Sequence, residues 1–390
     1  MSNVIRDVDY AVVGLGSVGS MALWQLAGAA PEGTSILGLE QFGRLHPFGS
    51  YAGESRLYRM ALKEGDKYIE LARAARPLWL ELNELSGRDV FVPAGALSIG
   101  AADSSEIAAT LAAIDKHDLD YEMLSGEELR ERYPQFDYLP DDVGIVDPNG
   151  GGIRPELAVA TAQKQAEKLG AEIMDNTPVL SLDYTAKGVI IETEAGLIVA
   201  KRVICTAGSW TGQLVEETAR LINVRRVFLT WFAPEHIDSF TPTSLPVFLR
   251  DMRDPDGTLH HTFGAPSLDG YSVKVTNGSM GPDYDSVADL DLTVPQDYLS
   301  EASADVRSSI PGFFEGVPRA SVHHDGFTAD NTPIIDTFGA VTVAAGMSGR
   351  GMKFAPIYGQ LCAQLALGQT PPLYNAEEFS IAAHTHAVPA

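Results

Sequence analysis

Two stretches of this 390-residue chain combine glycines with groups suited to binding an anion. The first, Gly14-Leu15-Gly16-Ser17-Val18-Gly19, follows the apolar run "DYAVV" and leads into "SMALWQLAGAA". Between a strand and a helix, Gly14 permits a tight turn and Gly16 lets a pyrophosphate approach the backbone. Gly19 then allows the helix to pack closely on the sheet. The free N–H groups and the dipole at the helix start favour negative charge. Glu40 ends the next apolar run, "SILGLE", where a carboxylate accepts hydrogen bonds from a ribose. This pattern points to a dinucleotide, and its spacing leaves open whether that is FAD or NAD. The second stretch, "AAGMSGRGMKFAP" at 344–356, sets three glycines, Arg350 and Lys353 against another helix start. One chain therefore offers two anion grips, far apart in sequence.

The elements around these stretches define the expected architecture. The first unit reads strand, glycine turn, helix, strand, which demands a parallel sheet. A helix follows near 66–85, with Tyr68, Leu71, Ala72, Ala75, Leu78 and Trp79 on one face. From about 88 the texture changes, and "DVFVPAGALSIG" alternates like an antiparallel strand. Pro155 stands near the first turn of another helix. Short strands are expected at 172–183, 188–193 and 197–200, and "KRVICTAGSW" is a buried strand entering a glycine turn. Residues 220–320 again look antiparallel, and the second glycine stretch repeats the strand, turn, helix order. The expectation is an α/β fold with α+β character overall. A Rossmann-like domain from 1–87, 150–218 and 320–390 would be interleaved with an antiparallel-sheet domain from 88–149 and 219–319.

Composition narrows the function classes. The chain carries 28 Lys+Arg against 52 Asp+Glu, a formal charge of −24, which opposes nucleic-acid and anionic-membrane binding. An anionic ligand must then be held by a few local cations. Cys205 and Cys362 are the two cysteines, without paired spacing, so a disulfide framework and cysteine-ligated zinc are not expected. The histidine pairs His260/His261, His323/His324 and His384/His386 have no further ligands nearby in sequence, and no metal is expected. The N-terminus lacks a signal-peptide pattern, and no apolar run approaches a membrane span. A cytoplasmic protein is the expectation.

Several motifs recur in an order that resembles the monomeric sarcosine oxidase family, which includes N-methyltryptophan, pipecolate and fructosyl amino acid oxidases. They are the opening unit, "GSYAGESRLYRMAL" (49–62), "CTAGSW" (205–210), "YSVKV" (271–275), "NTPIID" (331–336) and "AAGMSGRGMKF" (344–354). The resemblance spans nearly the whole chain. It implies a glutathione-reductase/D-amino-acid-oxidase-like fold, bound FAD, a monomer, and oxidation of the C–N bond of an N-substituted amino acid. The imine would hydrolyse and O2 would become H2O2. Both grips then serve one ligand, the first loop on the pyrophosphate and the second beside the flavin ring. A positive dipole there raises the electron affinity of the ring.

The resemblance assigns roles residue by residue. Arg59 and Lys353 would bind the substrate carboxylate, Arg as a fork of donors and Lys as a point charge. Lys274 would activate oxygen, and Arg56 would join the polar network beside the ring. Cofactor contacts would come from Gly14, Gly16, Ser17, Val18, Gly19, Glu40, Ser50, Arg56, Val179, Ala207, Gly208, Trp210, His323, Gly346, Gly349, Arg350, Gly351, Met352 and Lys353. Read from pattern alone, Lys274 is an exposed strand lysine, with Tyr271, Val273 and Val275 on the opposite face.

The chain also departs from the family. His323 stands where many members have the cysteine that tethers flavin, so non-covalent FAD is expected. Arg350 replaces a histidine and either adds charge near the ring or pairs with an acid. Phe263 replaces a tyrosine, while Gly278 and Ala52 replace histidines, which implies a substrate-binding pocket around Phe263 that admits more than a methyl group. Three rival readings stay open at this stage: a D-amino acid or glycine oxidase acting on primary amines, an NAD-dependent dehydrogenase, and a flavin-binding protein without turnover.

Overall fold

A computed structural model describes residues 4–253, 256–278 and 280–385. The strand Val4–Val13 is the spine of an eight-stranded sheet. Gly196–Cys205 and Ile36–Leu39 flank it in parallel, and Val341–Ala345 and Glu172–Met174 extend the parallel core on either side. Val179–Thr185, Gly188–Thr193 and Ile334–Phe338 add antiparallel strands. Successive spine residues face opposite ways. Val12 joins the core with residues of the helices Ser17–Ala29, Asp66–Ser86, Pro155–Lys168 and Gly351–Ala366, whereas Ala11 and Val13 pack into the core on the other side. Burial on both faces explains why these runs read as continuously apolar.

A nine-stranded sheet forms the second layer, antiparallel except where Val247–Arg253 runs parallel to Ala96–Ala101. The expected strand in "DVFVPAGALSIG" is two strands. Pro93 and Gly95, at φ +79°, break it, so Phe91–Val92 joins a three-stranded sheet with Arg56–Tyr58 and Gly151–Ile153. Ala96–Ala101 stays in the nine-stranded sheet. The expected cut at 319/320 needs correction too. Arg319–Phe327 pairs along its length with Asn223–Phe232, so the antiparallel layer reaches further along the chain. Among the described residues no helix is long and apolar enough to cross a membrane.

The parallel core has one functional consequence. Its strands point the same way, so Gly14, Glu40, Thr206 and Gly346, each directly following a strand, emerge at one edge. Ligands of open α/β sheets bind outside the carboxyl ends of such strands.

Candidate active site

At that edge lies a cavity of about 710 Å³, lined by residues of both large sheets. Every residue named from the sequence as a site candidate lines it, except Gly19 and Ala52. Gly19 acts behind the wall, because a Cβ there would lie 1.8 Å from the Gly14 carbonyl oxygen. Gly14 itself adopts φ +85°, and a Cβ on it would come within 2.8 Å of Ala207 and Thr206. Gly16 is open, its nearest hypothetical contact being Tyr51 at 3.7 Å.

Side chains brace this loop. Glu40 accepts hydrogen bonds from the Leu15 N–H at 2.8 Å and the Phe42 N–H at 3.0 Å. The Thr206 hydroxyl donates to the Gly14 carbonyl at 2.8 Å, and the Gln163 amide donates to the Leu15 and Arg44 carbonyls. Glu40 lines the cavity, as a ribose ligand must, but its carboxylate also ties the first two strand ends together.

The second grip forms where Val341–Ala345 turns into the helix Gly351–Ala366. Gly346, Ser348 and Gly349 take positive φ, and a Cβ on Gly349 would meet nothing within 4 Å. No side chain caps the helix start, which leaves its first N–H groups to the cavity. Asp325 fixes the loop by accepting from the Gly349 N–H at 2.7 Å, and its burial raises its own pKa. Arg350 forms no ion pair with an acid among the described residues. Its guanidinium donates to the Asn331 carbonyl at 2.6 Å and the Tyr68 hydroxyl at 3.2 Å.

Arg56, Lys274 and His323 line the same cavity. Arg56 donates to the carbonyls of Ser50, Ala52 and Ser55 at 2.6–2.9 Å, and so shapes the loop Gly49–Ser55. Lys274 is 5% exposed, which corrects the exposed reading. The strand spans only Val273–Thr276, with Val273 and Val275 buried in the antiparallel core and Lys274 facing the cavity. Tyr271 precedes the strand and is exposed. The Lys274 ammonium donates to the carbonyls of Gly53, at 3.1 Å, and Ser55. Burial first, and Arg56 second, lower its pKa well below the usual lysine value, while Glu54 and Glu156 oppose them. The same causes push His323 down to about 3, so its imidazole is neutral near pH 7. Its Nε2 pairs with the Ser321 hydroxyl at 2.8 Å. His324 contacts the Ser209 hydroxyl and stacks edge-on with Trp210.

At the far end, Arg59 and Lys353 converge on a residue that the motifs did not single out. Glu64 Oε1 lies 3.3 Å from both Arg59 Nη2 and Lys353 Nζ. Burial raises the Glu64 pKa, but Lys353 and Arg59 overcome it and hold the carboxyl well below the usual range. Burial likewise brings Lys353 down to about 8, against the pull of Glu64. Two uncompensated buried cations would cost several kcal/mol each, and the shared anion offsets that. The triad is incomplete, because Arg59 Nη1 and Glu64 Oε2 are buried without hydrogen-bond partners. Glu64 lies in the unpatterned loop before Asp66–Ser86, where its proximity to residue 353 leaves no sequence signal. Glu156, which accepts from the Gly53 and Glu54 N–H groups, and Asp325 were missed for the same reason.

A long anionic dinucleotide suits this cavity. Its lining includes two glycine-rich helix starts, where Gly16 and Gly349 leave the backbone open, and its volume falls within the roughly 300–1,000 Å³ of ligand pockets. No cluster able to hold a metal occurs among the described residues. Residues 9–365 match the FAD dependent oxidoreductase family, DAO. The chain is 32% identical over 373 residues to monomeric sarcosine oxidase from Streptomyces avermitilis, covering 93% of this chain and 94% of that protein. It is 32% identical over 370 residues to N-methyl-L-tryptophan oxidase from Salmonella typhimurium, covering 93% and 95%. Among solved structures, the Tyr258Phe mutant of NikD, an unusual amino acid oxidase essential for nikkomycin biosynthesis, superposes with a TM-score of 0.83 at 25% identity, covering 96% of this chain and 97% of that one. Matched from near its first strand to the end of its last long helix, the chain belongs to the FAD dependent oxidoreductase family.

Proposed function

We propose that this chain oxidises the C–N bond of an N-substituted amino acid, using FAD and O2. The observation that carries this reading is the pair of buried Arg59 and partly buried Lys353, which lines the same cavity as Lys274. FAD would supply the two-electron acceptor for this oxidation, with O2 as the final oxidant and H2O2 as its product. The glycine loop Gly14–Gly19 would hold its pyrophosphate, and the helix start at Gly351 would face the ring. The protein's own groups bind and orient the substrate. Arg59 and Lys353 fix its carboxylate, displacing or sharing Glu64, and thereby set the amine toward the ring. Phe263 and Gly278 leave room beside it for a substituent larger than methyl. The imine product hydrolyses in water.

A peroxide assay on sarcosine, N-alkyl amino acids, fructosyl amino acids and primary D-amino acids tests this reading. Activity confined to primary amines would overturn it. We read the cofactor as non-covalent, because Cys205 and Cys362 are buried outside the cavity lining and His323 stands at the position of the family's tether. Acid precipitation is then expected to leave the yellow colour in the supernatant, and a yellow pellet would contradict this. We place the chain in the cytoplasm as a monomer, supported by its unpaired cysteines and by the name of its sarcosine oxidase relative.

The carboxylate grip also predicts a pH dependence. Lys353 is charged below its lowered pKa of about 8 and neutral above it. Substrate capture needs the cation, so kcat/KM is expected to hold below about 8 and fall as pH rises through it. Lys353→Arg should remove the fall, since arginine stays charged. Glu64→Gln should move it to lower pH, because Glu64 stabilises the ammonium. An unchanged inflection in Lys353→Arg would show that another group titrates.

A further inference from the structure

Beyond Phe263 the cavity wall carries an imidazole with no assigned role. His261 and Phe263 are two apart on the strand Leu259–Gly264 and therefore share a face. Both line the cavity, with ring centroids 5.7 Å apart. His261 lies directly across from Asp251 on the neighbouring strand, and its Nδ1 hydrogen-bonds the Asp251 carboxylate. Asp251 is 13% exposed and packs near Gly100, where a Cβ would come within 3.7 Å of its own. An immobilised carboxylate on Nδ1 fixes the tautomer. The Nδ1–H donates to Asp251, and Nε2 keeps its lone pair on the other side of the ring. Gly278 stands beside both rings, where an added Cβ would already touch His261 and Phe263 at 3.5 Å, so the lack of a side chain at 278 leaves the two rings uncovered by that residue. The cavity thus has an oriented acceptor on the wall that its small and apolar residues leave free.

We infer that the Asp251–His261 pair selects the N-substituent, with Nε2 accepting a hydrogen bond from a hydroxyl on it. The inference rests on the reading of the chain as an oxidase of N-substituted amino acids, and it names the substituent as hydroxylated. A purely alkyl group would leave the acceptor facing hydrocarbon and lose its hydrogen bond to water. Lys63 lines the same cavity and its ammonium is engaged by Glu106, so it offers no acceptor to a hydroxyl.

The test compares N-(2-hydroxyethyl) and N-propyl derivatives of one amino acid, matched in length, with the N-methyl derivative as reference. Peroxide rates are measured on the flavin-loaded protein. The wild type is expected to favour hydroxyethyl over propyl in kcat/KM. His261→Phe, which keeps a ring and removes the acceptor, should reduce that ratio about tenfold, the size of one hydrogen bond. His261→Gln, whose amide oxygen can accept, should restore part of it. A merely structural pair would alter both substrates alike and would not be rescued by glutamine, and that result overturns the inference. Wild-type preference for propyl, or oxidation of the N-methyl compound alone, overturns it as well. Oxidation of none of the three overturns the underlying reading and the inference together.

Discussion

Lys274→Met is expected to slow peroxide formation in air by about two to three orders of magnitude, the size of losing one preorganised charge at a reacting centre. Reduction of the bound flavin by substrate without oxygen should fall far less, so the variant bleaches with substrate and recovers its colour slowly in air. The reasoning starts from burial. A lysine lining this cavity at 5% exposure is held there by the carbonyls of Gly53 and Ser55, and its charge is opposed by burial and by Arg56. Glu54 and Glu156 act the other way and support the ammonium. A lysine placed against such opposition gains its charge most readily where negative charge appears beside it. The transfer of electrons to O2 creates that charge. Rapid mixing of the reduced protein with oxygen checks the prediction, and a recovery rate within about threefold of wild type would remove Lys274 from the oxygen step. Flavin content and thermal melting of the variant exclude simple misfolding.

Arg59→Ala should lower kcat/KM for a carboxylate substrate by about a thousandfold, and Lys353→Ala by roughly a hundredfold. Removing one partner of a buried charged hydrogen bond costs about 3–5 kcal/mol, and Arg presents the fork that Lys lacks. The two effects should not add. Both cations touch Glu64 Oε1 at 3.3 Å, so deleting either changes the charge balance seen by the other. In the single variants Glu64 keeps one partner, and in the double variant it is left with neither. The double variant is therefore expected to lose stability beyond the sum of the two, measured as the thermal midpoint. Strict additivity in both rate and midpoint would mean that the shared carboxylate does not couple them.

The parts of this architecture legible in the sequence are those written in consecutive residues. Strand, glycine turn and helix occur at both ends of the chain, and each sets its own local signal. Burial on two sides of a sheet was harder to read. Alternation in "YSVKV" separates two faces, but only packing decides that both are covered, and so Lys274 looked exposed. The split at Pro93 and Gly95 was signalled by both residues, although the alternating apolar positions on either side hid it. Glu64, Asp325 and Glu156 carry no motif. Each acquires its role from a neighbour far along the chain, Lys353, Gly349 and Gly53 respectively. Asp251 and His261 are opposed by strand register, a relation that emerges only once the hairpin is paired.

The bracing of the first loop by Glu40, Thr206 and Gln163 has one more outcome. These bonds close within the polypeptide, so the loop's shape is braced without any contribution from the cofactor. Uptake by the apoprotein then requires little rearrangement. Reconstitution should follow simple second-order kinetics, its rate rising in proportion to added FAD without reaching a plateau.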